Sequence, residues 1–226
     1  MRVKIVEQPP QDVRTFEEVD LAEKLTMGEV ETIREIFRTP LTGSFNWDYD
    51  SANAKIQRLY EVGKAHNWNS TLDVDWDAPC DMNDYPMEPS LGALNGYPEY
   101  EALSPEEKVR FAWKGHAQTM SQFLHGEQGA LVASQLVSCA PTADAKLYAA
   151  SQTFDEARHV EVFNQYLRKR CKMIYPINKN LKLLIDKVLA DERWDLKFIG
   201  MQLIIEGLAL AAFGTQVRTT RDPLLK

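Results

Sequence analysis

Apolar positions recur at helical spacing through most of this chain, and clusters of proline and glycine separate the runs. The clearest start is Ser104-Pro105-Glu106-Glu107: a hydroxyl cap, proline at the first helical position and glutamate at the third. A helix is predicted from there toward Cys139, with Pro141 beyond it. Thr142 opens a second helix, which meets no glycine or proline before Arg170. Asn180 to Gly214 reads as one or two more, lined at the end by Gly207, Ala209, Ala211, Ala212 and Gly214. Upstream, Thr26-x-x-Glu29 is a capping box opening a helix with Val30, Ile33, Ile36 and Phe37 on one face, stopped at Pro40. Asp50 or Ser51 is expected to cap a helix through Ile56, Leu59, Tyr60 and Val62. Val3 and Ile5 alternate in a short arm, and strand signals are otherwise nearly absent, so the class is all-α. The long irregular stretch 67–98, with Trp68, Trp76, Tyr85 and Tyr97, is expected to wrap a surface.

The informative positions are the polar ones that break this pattern. Glu156 and His159 are three residues apart, so on a helix they share a face, and Phe163, Tyr166 and Leu167 continue that face as apolar. Burying an unpaired carboxylate there costs several kcal/mol, and a bound cation is the most economical compensation. Glu127 is the only acid between Glu107 and Asp144, and Glu206 the only one between Asp195 and Asp222; both sit deep in apolar runs. One glutamate from each of two helices plus a Glu-x-x-His from another is most of the recipe for a two-metal site in a four-helix bundle. Carboxylates with imidazole suit iron or manganese better than structural zinc, which prefers thiolates. Gly126 and Gly129 flank Glu127 and mark either a close helix approach or a local bulge. His116 and His125 read as structural or surface residues, and His66 as a helix cap. Asp73, Asp75 and Asp77 read as solvated charges, since that loop lacks the glycine and closing glutamate of an EF-hand.

Asp155-Glu156-x-Arg158-His159 resembles the motif of the di-iron carboxylate oxidoreductases: the bacterial multicomponent monooxygenase hydroxylases and, more distantly, the arylamine N-oxygenases and ribonucleotide reductase small subunits. The order Glu127, Glu156-x-x-His159, Glu206 is similar to that family's order of ligands, over roughly Ser104 to Lys226. The resemblance implies a ferritin-like four-helix bundle, with residues 1–103 as helices and loops packed on a bundle formed by residues 104–226. It implies Glu127, Glu156, His159 and Glu206 as ligands of two iron ions, with manganese an alternative in one site. Asp155 and Arg158 would stand behind the ligands and orient an imidazole on the facing helix. O₂ would be the co-substrate and an external reductase the electron donor, and the product an oxygenated small molecule, by C-hydroxylation or N-oxygenation. The family's second Glu-x-x-His has no counterpart among His66, His116 and His125. A fourth bundle helix is expected next, from beyond Lys226 or from another polypeptide in a homodimer or complex; a partial site is the remaining alternative. A non-catalytic bundle subunit and an iron-handling protein are the competing functions.

Composition narrows the partners. The 226 residues, 44% hydrophobic, suffice for one sizeable domain, and a net charge of -7 argues against nucleic acid. Three widely spaced cysteines without a C-x-x-C fit a reducing cytosol. The first residues lack the apolar core of a signal peptide, and no apolar run is expected to span a membrane, since Glu206 and several glycines interrupt the best candidate. A cytoplasmic protein without a membrane partner is expected.

Overall fold

The computed structural model describes residues 37–40 and 42–226, with the backbone of Arg14 and Thr15. The arm at Val3–Ile5 and the helix expected from Thr26 lie outside the described residues. Helix α1, Ala54–Ala65, is capped by Asn53, not by Asp50 or Ser51. A distant residue decides this: the Asp144 carboxylate accepts the amides of Ala52 and Asn53, both at 2.8 Å, and fixes where the chain turns into the helix.

Helix α2, Pro105–Val137, starts with the expected capping box. Glu107 N donates to Ser104 Oγ at 3.2 Å and Ser104 N donates to Glu107 Oε2 at 2.8 Å. At 1.5 Å per residue its 33 residues reach about 50 Å, enough to carry two separate cores and a site between them. Helix α3, Ala143–Tyr166, is capped by Thr142 and returns alongside α2 after a short connection, as short loops require of antiparallel neighbours. It widens into a π-type turn, Leu167–Cys171, which Lys172 ends in the left-handed region (φ 59°). Strand β2, Met173–Ile174, then pairs antiparallel with β1, Arg14–Thr15. Helix α4, Lys179–Ala190, is followed by one continuous helix, α5, Trp194–Thr219, with a π-type segment at Ile199–Ile205. The chain is all-α, a ferritin-like bundle.

Two cores sit along α2. Val109, Trp113, Ala117 and Met120 pack with Tyr166, Leu167, Cys171 and Ile174 at one end. Ala130 and Ala133 pack with Ile185, Val188, Leu189, Met201 and Ile205 toward the other. Gly129 admits the closest approach: a Cβ there would meet Ile185 Cδ1 at 2.9 Å. Of the two alternatives at the glycines flanking Glu127, close approach is therefore the one realised at Gly129. The widened segment lies on α5, directly before Glu206.

Helices α3 and α5 both run beside α2 and meet each other through side chains, with Tyr148 against Phe198 and Phe163 against Phe213. The outer side of α5 carries exposed Ile199, Leu203, Ile204, Leu208, Leu210 and Val217. This corrects the expectation about membrane-length runs: Trp194–Thr219 is long and apolar enough to cross a membrane by length and composition. Its glycines leave the helix intact, and Glu206 is the only charge between Phe198 and Val217.

Candidate metal centre

The stretch of α2 between its two cores presents Glu127, and α3 presents Glu156 and His159 opposite it. The two glutamates are 4% and 5% exposed, whereas the His159 side chain is 38% exposed. His159 Nδ1 lies 3.2 Å from Glu127 Oε2 and 3.0 Å from Glu156 Oε2. One ligand atom from each of the three residues falls within 4.8 Å of the others. Glu206, on the turn after the π-type segment, stands outside this tight group. It is close enough to feel the charges of Glu156 and His159, and it is half-buried. A wider turn advances the helix phase differently from an α turn, so the direction of Glu206 is not the one a regular helix would give.

Burial, and then the neighbouring Glu127, push the Glu156 carboxyl up to about 6, against the opposing hydrogen bond from His159. Burial and the charge of Glu156 push Glu206 up to about 7. Burial alone would lower His159, but the hydrogen bonds and charges of Glu127 and Glu156 outweigh it and raise the imidazole to about 10. The metal-free site thus holds protons where carboxylates and an imidazole converge, and a cation would displace them. Three carboxylates and one imidazole, with no thiolate, suit iron or manganese. Glu127, Glu156 and His159 could together hold one ion, and Glu206 lies outside that group.

These shifts predict a pH dependence for the chelator-treated protein. All three folded values lie above the ordinary ones of 4.5 and 6.5. Each group's stabilising contribution is therefore complete below its unfolded value and is lost as pH rises through its folded value. The glutamate contributions are lost as pH rises from 4.5 to about 6 for Glu156 and to about 7 for Glu206, and that of His159 is lost between 6.5 and about 10. Melting temperatures against pH are expected to fall less steeply between pH 5 and 8 (~3 units, bracketing the glutamate range) for Glu206→Gln than for the natural chain. An identical slope would reject the buried setting of Glu206.

Layers of side chains bound the centre along the bundle axis. Phe123, four residues before Glu127, Phe163, four after His159, and Phe213, seven after Glu206, form one aromatic cluster. Their centroids are 4.8 Å apart for Phe123–Phe213 and 5.8 Å for the other two pairs. On the other side, Gln152 Nε2 donates to Gln202 Oε1 at 2.6 Å and Gln202 Nε2 to Ser134 Oγ at 3.1 Å, joining α3, α5 and α2. Tyr148, whose phenol is raised by burial and by the charges of Glu156 and Glu206, lies on this side too. Of these residues the sequence pattern singles out Phe163 on the ligand face; the others, Tyr148 apart, share its signal, an i±4 or i±7 spacing from the ligands.

Asp155 and Arg158 form an ion pair with each other. Arg158 Nη1 also donates to the Trp68 carbonyl at 2.9 Å, so the pair reaches toward the loop before α2. His116 is buried, with Nε2 2.9 Å from Tyr166 Oη, and His125 Nε2 is 2.8 Å from the Tyr175 carbonyl; both are structural. His66 is the C-cap of α1.

Fold and site together define a member of the di-iron oxygenase superfamily. The family model described as p-aminobenzoate N-oxygenase AurF matches residues 50–196, more than half of the chain, and the chain belongs to that family. The matched segment contains Glu127, Glu156 and His159 and ends before Glu206. It begins well before Ser104, so the resemblance extends further toward the N-terminus than the motif suggested. No curated protein and no solved structure matches significantly. Membership in that family implies oxygenase-type oxidoreductase chemistry at a di-iron centre.

Proposed function

We propose that this protein oxygenates the amino nitrogen of an aryl amine, using O₂ and electrons from an external donor. One observation carries the proposal: Glu127, Glu156 and His159 converge on facing helices inside the segment that matches an N-oxygenase family. Iron held by Glu127, Glu156, His159 and Glu206 would supply the reduction of O₂ and the transfer of one oxygen atom. The protein's own contributions follow from its layers. The carboxylates balance the charge of bound cations, and their burial keeps that attraction strong. Phe123, Phe163 and Phe213 exclude water from one side and offer ring faces and edges to an aromatic substrate. The Ser134–Gln152–Gln202 layer offers neutral dipoles on the other.

A second reading is a bundle subunit whose centre is completed by a further helix or a partner chain. The exposed apolar side of α5 and the absence of a second Glu-x-x-His favour it. Three free cysteines suit a cytoplasmic setting for either reading.

The test is product analysis after anaerobic loading with Fe(II), then addition of a chemical reductant, O₂ and p-aminobenzoate or aniline. Hydroxylamine, nitroso or nitro products that carry label from ¹⁸O₂ support N-oxygenation. Aminophenols would redirect it to C-hydroxylation. No O₂-dependent product from an iron-loaded chain would favour the subunit.

A further inference from the structure

We propose that Trp68 is a positioning residue for the metal centre: its indole sets the plane of the His159 imidazole, and Arg158 holds the indole there. The proposal rests on the metal reading above. The imidazole is pinned on one side only. Nδ1 meets Glu127 and Glu156, but among the described residues Nε2 has no hydrogen-bond partner, and the side chain is 38% exposed. A metal-ligating histidine is ordinarily oriented by donating its other N–H to a carboxylate, a carbonyl or water. Here a flat surface stands in that role. The Trp68 ring lies 6.2 Å from the His159 ring, at 22° to its plane.

Trp68 belongs to the irregular stretch before α2, so something must hold it against α3. The Arg158 guanidinium does so in three ways. It sits 5.0 Å from the Trp68 ring centroid and 5.0 Å from that of Phe154, between the two rings. Its Nη1 donates to the Trp68 carbonyl at 2.9 Å. Its Nη2 is paired with Asp155, which fixes the fork on the helix that carries the ligands. A planar, forked cation can stack and hydrogen-bond at once, which a lysine cannot. Asp155 and Arg158 therefore reach His159 through Trp68, on the same helix, not through an imidazole on the facing one.

Orientation and binding are reciprocal: if the docked indole favours metal binding, bound metal favours the docked indole by the same factor. The probe is Co(II), titrated anaerobically into the full chain and followed by its d–d absorption and by tryptophan fluorescence. The natural chain is expected to bind Co(II) with quenching of fluorescence. Trp68→Ala is expected to bind about 10- to 100-fold more weakly, the usual loss on removing a residue that orients a ligand, and with an altered d–d band. Trp68→Phe keeps a flat ring and should restore the affinity and band while losing the Trp68 share of the quenching. Arg158→Lys should weaken binding in the same direction with the indole intact, which keeps the test open if Trp68→Ala does not fold. Natural affinity and an unchanged band in both Trp68→Ala and Arg158→Lys would overturn the role of Trp68 alone. Failure of the natural chain to bind Co(II) or Fe(II) would overturn the metal reading and this proposal together.

Discussion

Glu156→Ala is expected to empty the centre. Loaded anaerobically with Fe(II) and desalted, the natural chain should retain at least about one iron, since the residues of one helix pair already fit a first ion. The variant should retain none, with O₂-dependent product formation at background. Replacing residues that merely orient a ligand costs about 10- to 100-fold in affinity, and removing a carboxylate that itself touches the metal must cost more. The loss should not come from unfolding. Burial already disfavours the Glu156 carboxylate, pushing it up to about 6, so its removal relieves a cost in the metal-free protein. His159 keeps its contact with Glu127 at 3.2 Å. The metal-free variant should therefore melt no lower than the metal-free natural chain, while the stabilisation that Fe(II) adds to the natural chain disappears. Less than one iron per natural chain, unchanged in Glu156→Ala, would refute the centre.

Asp222→Ala is expected to be the most destabilising change outside the centre, by about 3 kcal/mol, the cost of breaking a buried charged network. Asp222 is buried at the far side of the aromatic layer from the ligands. Tyr166 Oη donates to its Oδ2 at 2.9 Å, and Leu224 N donates to its Oδ1 at 3.0 Å. Burial lowers His116 to about 4, so it is neutral, and its Nε2 donates to the phenol oxygen whose own proton goes to Asp222. Truncating Asp222 leaves the phenol without an acceptor and releases the segment 220–225, which also holds the loop before α2 through Arg221–Asp84. At about 2 to 4 °C per kcal/mol for a chain of this size, the melting temperature should fall by roughly 6 to 12 °C. Tyr166→Phe should cost less, and the double variant less than the sum, because both changes break one network. A fall below about 2 °C for Asp222→Ala would reject this account.

The parts of this protein that local chemistry sets could be read from its sequence. The Ser104–Glu107 capping box, the Thr142 start and the i,i+3 pair of Glu156 and His159 each depend on residues within one turn of each other. The isolation of Glu127 in an apolar run also carries its own meaning, because a buried acid needs a compensating group wherever the helix packs. These features led to the all-α class, the di-iron resemblance and the residues that converge. Contacts across long separations decided the rest. Asp144, not the local hydroxyls and carboxylates, chose Asn53 as the cap of α1. The π-type segment before Glu206 packs against α2 and α4, where Val188 lies against Gly200, and those partners are distant in the chain. Trp68 meets Arg158 and His159 across about 90 residues of chain, so no local spacing signals it. Periodicity records which side of a helix is apolar, and only the packed structure determines which neighbour that side finds.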